Sequence, residues 1–179
     1  MVARIGTHPV SRRPATSPSA RLLPFHRHAL THVLILGGDA AERRESALAI
    51  HAESALRSGA FVSLDCVREE PRLARALEAW MTDSRDSSDP PLMAAQRGTL
   101  FLDRIEALQA PTQRRLLAFV TQRAGATTEL ERRWGGRLIC GSEADLDGLA
   151  GDGTFLLPLL DCLDKARVSL EGAFRGGAA

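Results

Sequence analysis

The sequence predicts an α/β fold in three layers, a mostly parallel sheet of five strands flanked by helices. Three observations carry that prediction. Five short apolar runs, Val33–Leu36, Ala60–Asp65, Gly98–Asp103, Arg137–Gly141 and Ala166–Leu170, have the length and composition of buried strands. Helical patterns or long crossovers separate them, a spacing that favours parallel pairing with both faces covered. The chain has 179 residues, of which 44% are hydrophobic, enough for one domain with a real core. No internal repeat is evident.

Met1 to Thr16 is basic, Pro-bearing and weakly apolar, and reads as a flexible leader. Its Arg, Ser and Pro content is that of a transit peptide, but the plain leader is the preferred reading. Ser17-Pro18-Ser19 looks like a helix start, with Ser17 as cap and Leu22, Leu23 and Phe25 as the apolar side. His28 and His32 are four apart, a metal-holding spacing on a helix, and His26 is near. No Asp, Glu or Cys lies close by, so these are read as surface histidines and no metal site is predicted.

The first strand, Val33–Leu36, is followed by the turn Gly37-Gly38-Asp39 and a helix from Ala40, with Ala47, Leu48 and Ile50 to Ala52 on one side. After the strand Ala60–Asp65, a helix is expected over Glu69–Met81, with Leu73, Leu77, Trp80 and Met81 inward. Thr82 to Pro91 is a polar loop with a double-Pro stop. Its acids Asp83, Asp86 and Asp89 lack the Gly and terminal Glu of a calcium loop. Following Gly98–Asp103, Thr112–Gln122 is a helix with Leu116, Leu117 and Val120 inward, and Gly125–Gly136 is a polar connection carrying Trp134. After Arg137–Gly141 come a turn and short helix over Ser142–Leu149. Phe155–Leu163 then reads as a buried helix interrupted near its start by Pro158. Beyond the last strand the Gly/Ala-rich tail, 172–179, is expected to fray.

Net charge is +1, which gives no electrostatic case for nucleic acid or an anionic membrane. No apolar run reaches membrane-spanning length, and the first 28 residues lack a signal-peptide h-region. Cys66, Cys140 and Cys162 are scattered, with no C-x-x-C spacing, and fit reduced core thiols in a cytoplasmic protein.

Strand, Gly-bearing loop and helix over Val33–His51 are the local plan of a phosphate-binding loop, G-x-x-x-x-G-K-[ST]. Gly37 takes its first position. Glu42 then stands where the second Gly belongs, Arg43 in place of the Lys, and Arg44 in place of the hydroxyl. Glu42 adds bulk and negative charge where phosphate would approach, and Arg43 is no neutral replacement for a compact Lys. The one lysine of the chain, Lys165, is far away in sequence. The strand Gly98–Asp103 ends in Asp103 as a Walker B segment does, where the acid holds Mg²⁺ through water. What remains is a vestigial anion site of Gly37, Gly38, Arg43, Arg44 and Asp103.

In order and spacing these segments resemble the AAA+ central domain of bacterial sigma-54-dependent activators, the enhancer-binding proteins. The resemblance runs from Ser17 to about Leu170. Ser17 to Leu23 is similar to S-P-x-M-x-x-L, and Val33 to His51 aligns without a gap on V-L-I-x-G-E-x-G-x-G-K-E-x-x-A-x-x-I-H. Phe61 to Cys66 is similar to F-V-x-x-N-C, and Gly98 to Asp103 is the family's G-T-L-F-L-D. Gln113 to Leu117 fits Q-x-x-L-L, and Arg137 to Leu146 is similar to R-L-I-x-A-T-x-x-D-L. The departures fall on functional positions. Glu42 and Arg43 replace the phosphate-loop Gly and Lys. Arg104 stands where a second Walker B acid should polarise water, and Glu143 falls on the sensor Asn. No G-A-F-T-G-A loop lies between Cys66 and Gly98. Leu156 and Cys162 replace the arginines of R-E-D-L-x-x-R-L.

The resemblance therefore implies a P-loop NTPase-like AAA+ domain over residues 17–171 whose chemistry is erased. Each lost element of phosphoryl transfer is worth powers of ten in rate. The expectation is a pseudo-ATPase with no catalytic residue and no cofactor, acting as a protein-interaction or regulatory scaffold. Its partner would be a related AAA+ subunit or a signalling protein. With the chain ending at Ala179, no helical lid and no DNA-reading helix-turn-helix are expected, so no direct DNA binding. The alternatives are a module that binds ATP without hydrolysis and, less favoured, an active Mg-ATPase in transcription regulation.

Overall fold

The computed structural model describes residues 31–82, 91–125 and 134–170. The expected leader, the helix at Ser17, His26 and His28, the acids Asp83, Asp86 and Asp89, and the tail after Gly172 lie outside the described residues.

Five strands form one sheet: β1 (Val33–Leu36), β2 (Phe61–Asp65), β3 (Thr99–Asp103), β4 (Arg137–Ser142) and β5 (Arg167–Ser169). Their order is β2-β3-β4-β1-β5, and every neighbouring pair is parallel. The helices are α1 (Ala40–Ala52), α2 (Cys66–Met81), α3 (Pro91–Ala94), α4 (Ala110–Gly125), α5 (Leu146–Gly151) and α6 (Leu157–Leu163), with a 3₁₀ turn at Ile105–Ala107.

The two-residue period of a strand divides the core into two clusters. Val33, Ile35, Phe101, Ile139 and Val168 join Ala47 and Ile50 of α1 on one face. Leu34, Leu36, Leu64, Leu100, Leu102 and Leu138 join the helices of the other face, where α4 packs against both α2 and α6. β1, β3 and β4 are buried on both faces, which is why they read as unbroken apolar runs, whereas β2 is only partly buried and β5 exposes Arg167 and Ser169.

Several expectations need correcting at their edges. α2 starts at Cys66, not Glu69, because Asp65 ends β2 and caps the helix at once. Its Oδ1 accepts from the Val67 amide at 3.0 Å, while Glu69 Oε2 accepts from the Asp65 amide at 3.0 Å. Met81 is exposed, whereas Leu73 and Leu77 are buried and Trp80 packs edge-on against Phe119 at 6.0 Å. On α1 the buried face is Arg43, Ser46, Ala47, Ile50 and His51, and Ala52 is exposed. Pro158 does not interrupt α6 but sits in its first turn, where a missing amide hydrogen breaks no bond. Pro91 likewise opens the single-turn α3 instead of stopping a loop. Trp134 is no part of a polar surface: it is 1% exposed, and its indole N–H donates to Leu92 O at 2.7 Å. Cys66 and Cys140 are core thiols, pushed well above their ordinary range by burial.

At the N-terminal end of the sheet, His51 is buried against Phe61, with ring centroids 5.5 Å apart, and its Nδ1 lies 2.9 Å from Thr99 Oγ1. Thr99 pairs in register with Arg137, a fully buried guanidinium that burial pushes down to about 10 and whose Nε donates to Thr31 O at 3.0 Å. Burial, then the Arg137 charge, hold His51 below its ordinary value. The unfolded chain therefore binds this proton more readily than the folded one. Stability from this group is whole above about pH 6.5 and is lost as pH falls through the depressed folded value. Urea denaturation of the unaltered chain should show lower stability at pH 5.5 than at pH 7.5. His51→Gln should flatten that difference; an identical slope in the variant would count against it.

Candidate functional site

In a parallel sheet all strands end at one edge, and the loops there collect functional side chains. Here that edge brings together the loop after β1, Asp65 at the end of β2, Asp103 at the end of β3 and Glu143 after β4.

The loop after β1 needs its glycines, since Gly37 and Gly38 have φ of 76° and 64°. The Gly37 amide donates to Ser142 O at 2.9 Å, which fastens the loop to the end of β4. A Cβ on Gly38 would lie 2.7 Å from Leu170 Cδ1 and 2.9 Å from Glu42 Oε2. Asp39 and Glu42 close the start of α1 as a reciprocal cap. The Glu42 amide donates to Asp39 Oδ1 at 2.8 Å, and the Asp39 amide donates to Glu42 Oε2 at 2.8 Å. Two backbone donors that would face an anion are thereby occupied, and a carboxylate stands beside them.

Arg43 projects from the first turn of α1 into the sheet edge and is 0% exposed. Its Nε donates to Asp103 Oδ1 at 2.6 Å and its Nη2 to Asp103 Oδ2 at 3.2 Å, a two-toothed pairing of fork and carboxylate. Nη1 donates to Gly38 O at 2.7 Å, and Nη2 lies 3.5 Å from Glu143 Oε2. Burial pulls the guanidinium down, but the bond to Asp103 and the fields of Asp103, Glu143 and Glu106 outweigh it and hold Arg43 above its ordinary value. Gly141 makes room for the pair: a Cβ there would sit 2.5 Å from Asp103 Oδ1 and 3.2 Å from Arg43 Cδ.

Of the five predicted site residues, the structure thus gathers Gly37, Gly38, Arg43 and Asp103. Arg44 is exposed and makes no contact with that group. Arg104 turns the other way: it takes a left-handed φ of 57° and its Nε donates to Asp65 Oδ1 at 3.1 Å, with a second bond from Nη2 to Asp65 Oδ2. Glu143, 58% exposed at its side chain, donates its amide to Glu106 Oε1 at 3.2 Å. Glu106 and Gly141 were not marked by the sequence; a carboxylate one turn after Asp103 was the only available signal for the first. The segment aligned with R-E-D-L-x-x-R-L is Leu156, the N-cap, followed by α6, whose Leu159, Leu160 and Leu163 are core.

Among the described residues no group of three or more His, Cys, Asp or Glu could hold a metal. What the arrangement does chemically is pair Arg43 with Asp103 within the chain, while Glu106 keeps one buried carboxylate oxygen, Oε2, without a hydrogen-bond partner.

A profile described as the Sigma-54 interaction domain matches residues 15–169. The Psp operon transcriptional activator of Escherichia coli K12 is 30% identical over 140 residues, which are 73% of this chain and 42% of that protein. The PTS-dependent dihydroxyacetone kinase operon regulatory protein of the same strain is 30% identical over 141 residues, 74% of this chain and 22% of that one. The chain thus spans less than half the length of either relative. Among solved structures, NtrX from Brucella abortus in complex with ADP superposes with a TM-score of 0.65 at 23% identity, over 80% of this chain and 33% of that one. The P-loop NTPase domain of a sigma-54 transport activator from E. coli gives 0.53 at 22% identity, over 77% and 94%. At such identities these two structures establish the fold alone.

Proposed function

The chain belongs to the sigma-54 interaction domain family, and we propose that within it this chain is a catalytically inactive AAA+ domain, a pseudo-ATPase that acts through protein contacts. The observation that carries the reading is the buried Arg43–Asp103 pair. A nucleotide at this edge needs a cation free to meet the phosphates and an acid free to hold Mg²⁺. Arg43 and Asp103 neutralise each other instead, and Glu42 is bonded where a phosphate would approach. Arg104, in the place of the water-polarising acid, is bound to Asp65. These residues do not fit a magnesium nucleotide.

The partner of such a domain would be a related AAA+ subunit or a signalling protein in transcription regulation, reached without direct contact to DNA. Among the described residues no helix is long and apolar enough to cross a membrane.

The test is thermal denaturation with and without Mg-ATP. No change in Tm is expected. A ligand at 100 times its Kd adds about 2.7 kcal/mol, roughly 5–10 °C for a chain of this size, so a rise of that order would overturn the reading. A second reading, nucleotide binding without hydrolysis, is favoured by one observation only, the retained positive φ of Gly37 and Gly38. In that case Arg43→Glu should abolish the shift.

A further inference from the structure

The groups that meet the Arg43 guanidinium come from three separate places: Gly38 in the loop after β1, Asp103 at the end of β3, and Glu143 after β4. β1 and β3 are not neighbours, because β4 lies between them. The guanidinium therefore reaches across the end of β4, over the position where Gly141 lacks a Cβ. It is donated by α1, so one side chain fastens a helix and three strand ends. A planar fork with five donors can do this; a point charge on a flexible stem cannot satisfy the same set.

We propose that Arg43 is a built-in ligand: its guanidinium permanently fills the gap between the β1 loop and Asp103, and thereby locks the loops at 37–39, 104–107 and 143–145 in one arrangement. The face these loops form is then set by the sequence and not by nucleotide concentration. This deepens the pseudo-ATPase reading and rests on it in one respect, that nothing else enters the gap.

The test is replacement of the tethered group by a diffusible one. Arg43→Ala should lower Tm by about 10 °C, since it strands a largely buried carboxylate. Methylguanidinium at ten times its Kd should then return roughly 3–6 °C. Tetramethylammonium at the same concentration, with equal charge and no N–H, should return nothing, and neither salt should raise the Tm of the unaltered chain. Equal responses of Arg43→Ala to the two salts would overturn the proposal. If Arg43→Ala does not fold, Arg43→Lys, which keeps the charge without the fork, carries the test by hydrogen exchange. Deuterium uptake should rise together in all three loops; a rise confined to 37–39 would overturn the lock. A Mg-ATP shift of the unaltered chain would sink both readings, since a nucleotide would then enter the gap. Absence of that shift together with absence of selective rescue would sink the built-in ligand alone.

Discussion

Asp103→Ala is expected to destabilise the domain by about 3–5 kcal/mol, because it leaves a buried guanidinium without its main counter-charge. Arg43 is 0% exposed, and after the substitution its remaining partners are the carbonyls of the Gly37–Gly38 turn, at 3.5 Å and 2.7 Å, and the half-exposed Glu143 at 3.5 Å. Neither offsets the desolvation of a full positive charge, and an arginine, which stays protonated in proteins, has no escape by neutralisation. An acid kept free for a metal behaves differently: its removal abolishes activity at little cost in stability. Urea denaturation at pH 7 separates the two cases. A loss under about 1 kcal/mol would mean that the pair contributes no more than a surface ion pair does. The double variant Arg43→Met/Asp103→Leu is the control. Removing both charges should be near neutral, since a buried ion pair is seldom better than apolar side chains of similar volume. The difference between that variant and the sum of the singles measures the coupling.

This pair also marks the limit of what the sequence made legible. β1, β3 and β4 were readable because burial on both sides leaves runs of apolar residues, and the sheet's parallel order follows from the long connections between the strands. Arg43 and Asp103 were both singled out, but as fragments of a nucleotide site. Nothing in a linear pattern says that residues 60 apart bond to each other. Arg44 was included because it takes the hydroxyl position of the phosphate-loop motif; on a helix, consecutive residues point about 100° apart, and here only Arg43 enters the sheet edge. The role of Glu42 was present in the sequence as Asp39-x-x-Glu42, a capping signature, yet reading it only as an obstacle to phosphate missed the bonds it makes. Gly141 and Trp134 had no signal of their own, because their importance lies in what other segments bring against them.

Trp134→Ala should be the other large loss, about 3–5 kcal/mol for truncating a buried aromatic. The ring lies 5.4 Å from Phe119 of α4, which in turn meets Trp80 of α2 edge-on, and the indole N–H is bonded to Leu92 of α3. One side chain thus joins α3 and α4 directly, and α2 through Phe119, on the sheet face opposite α1. Trp134→Phe separates the contributions: it keeps most of the ring and loses the donor, at about 1–3 kcal/mol for an unsatisfied buried carbonyl. Equal losses in the two variants would mean that the hydrogen bond, and not the packing, holds this corner. Trp134 precedes the first residue of β4, and Arg43 crosses the strand's far end, so the two sites stand about 20 Å apart along the strand. Trp134→Ala and Asp103→Ala should therefore add to within about 0.5 kcal/mol. A larger discrepancy would show that the charged edge and the aromatic corner communicate through β4, and that the edge is supported by the core beneath it as well as by its own arginine.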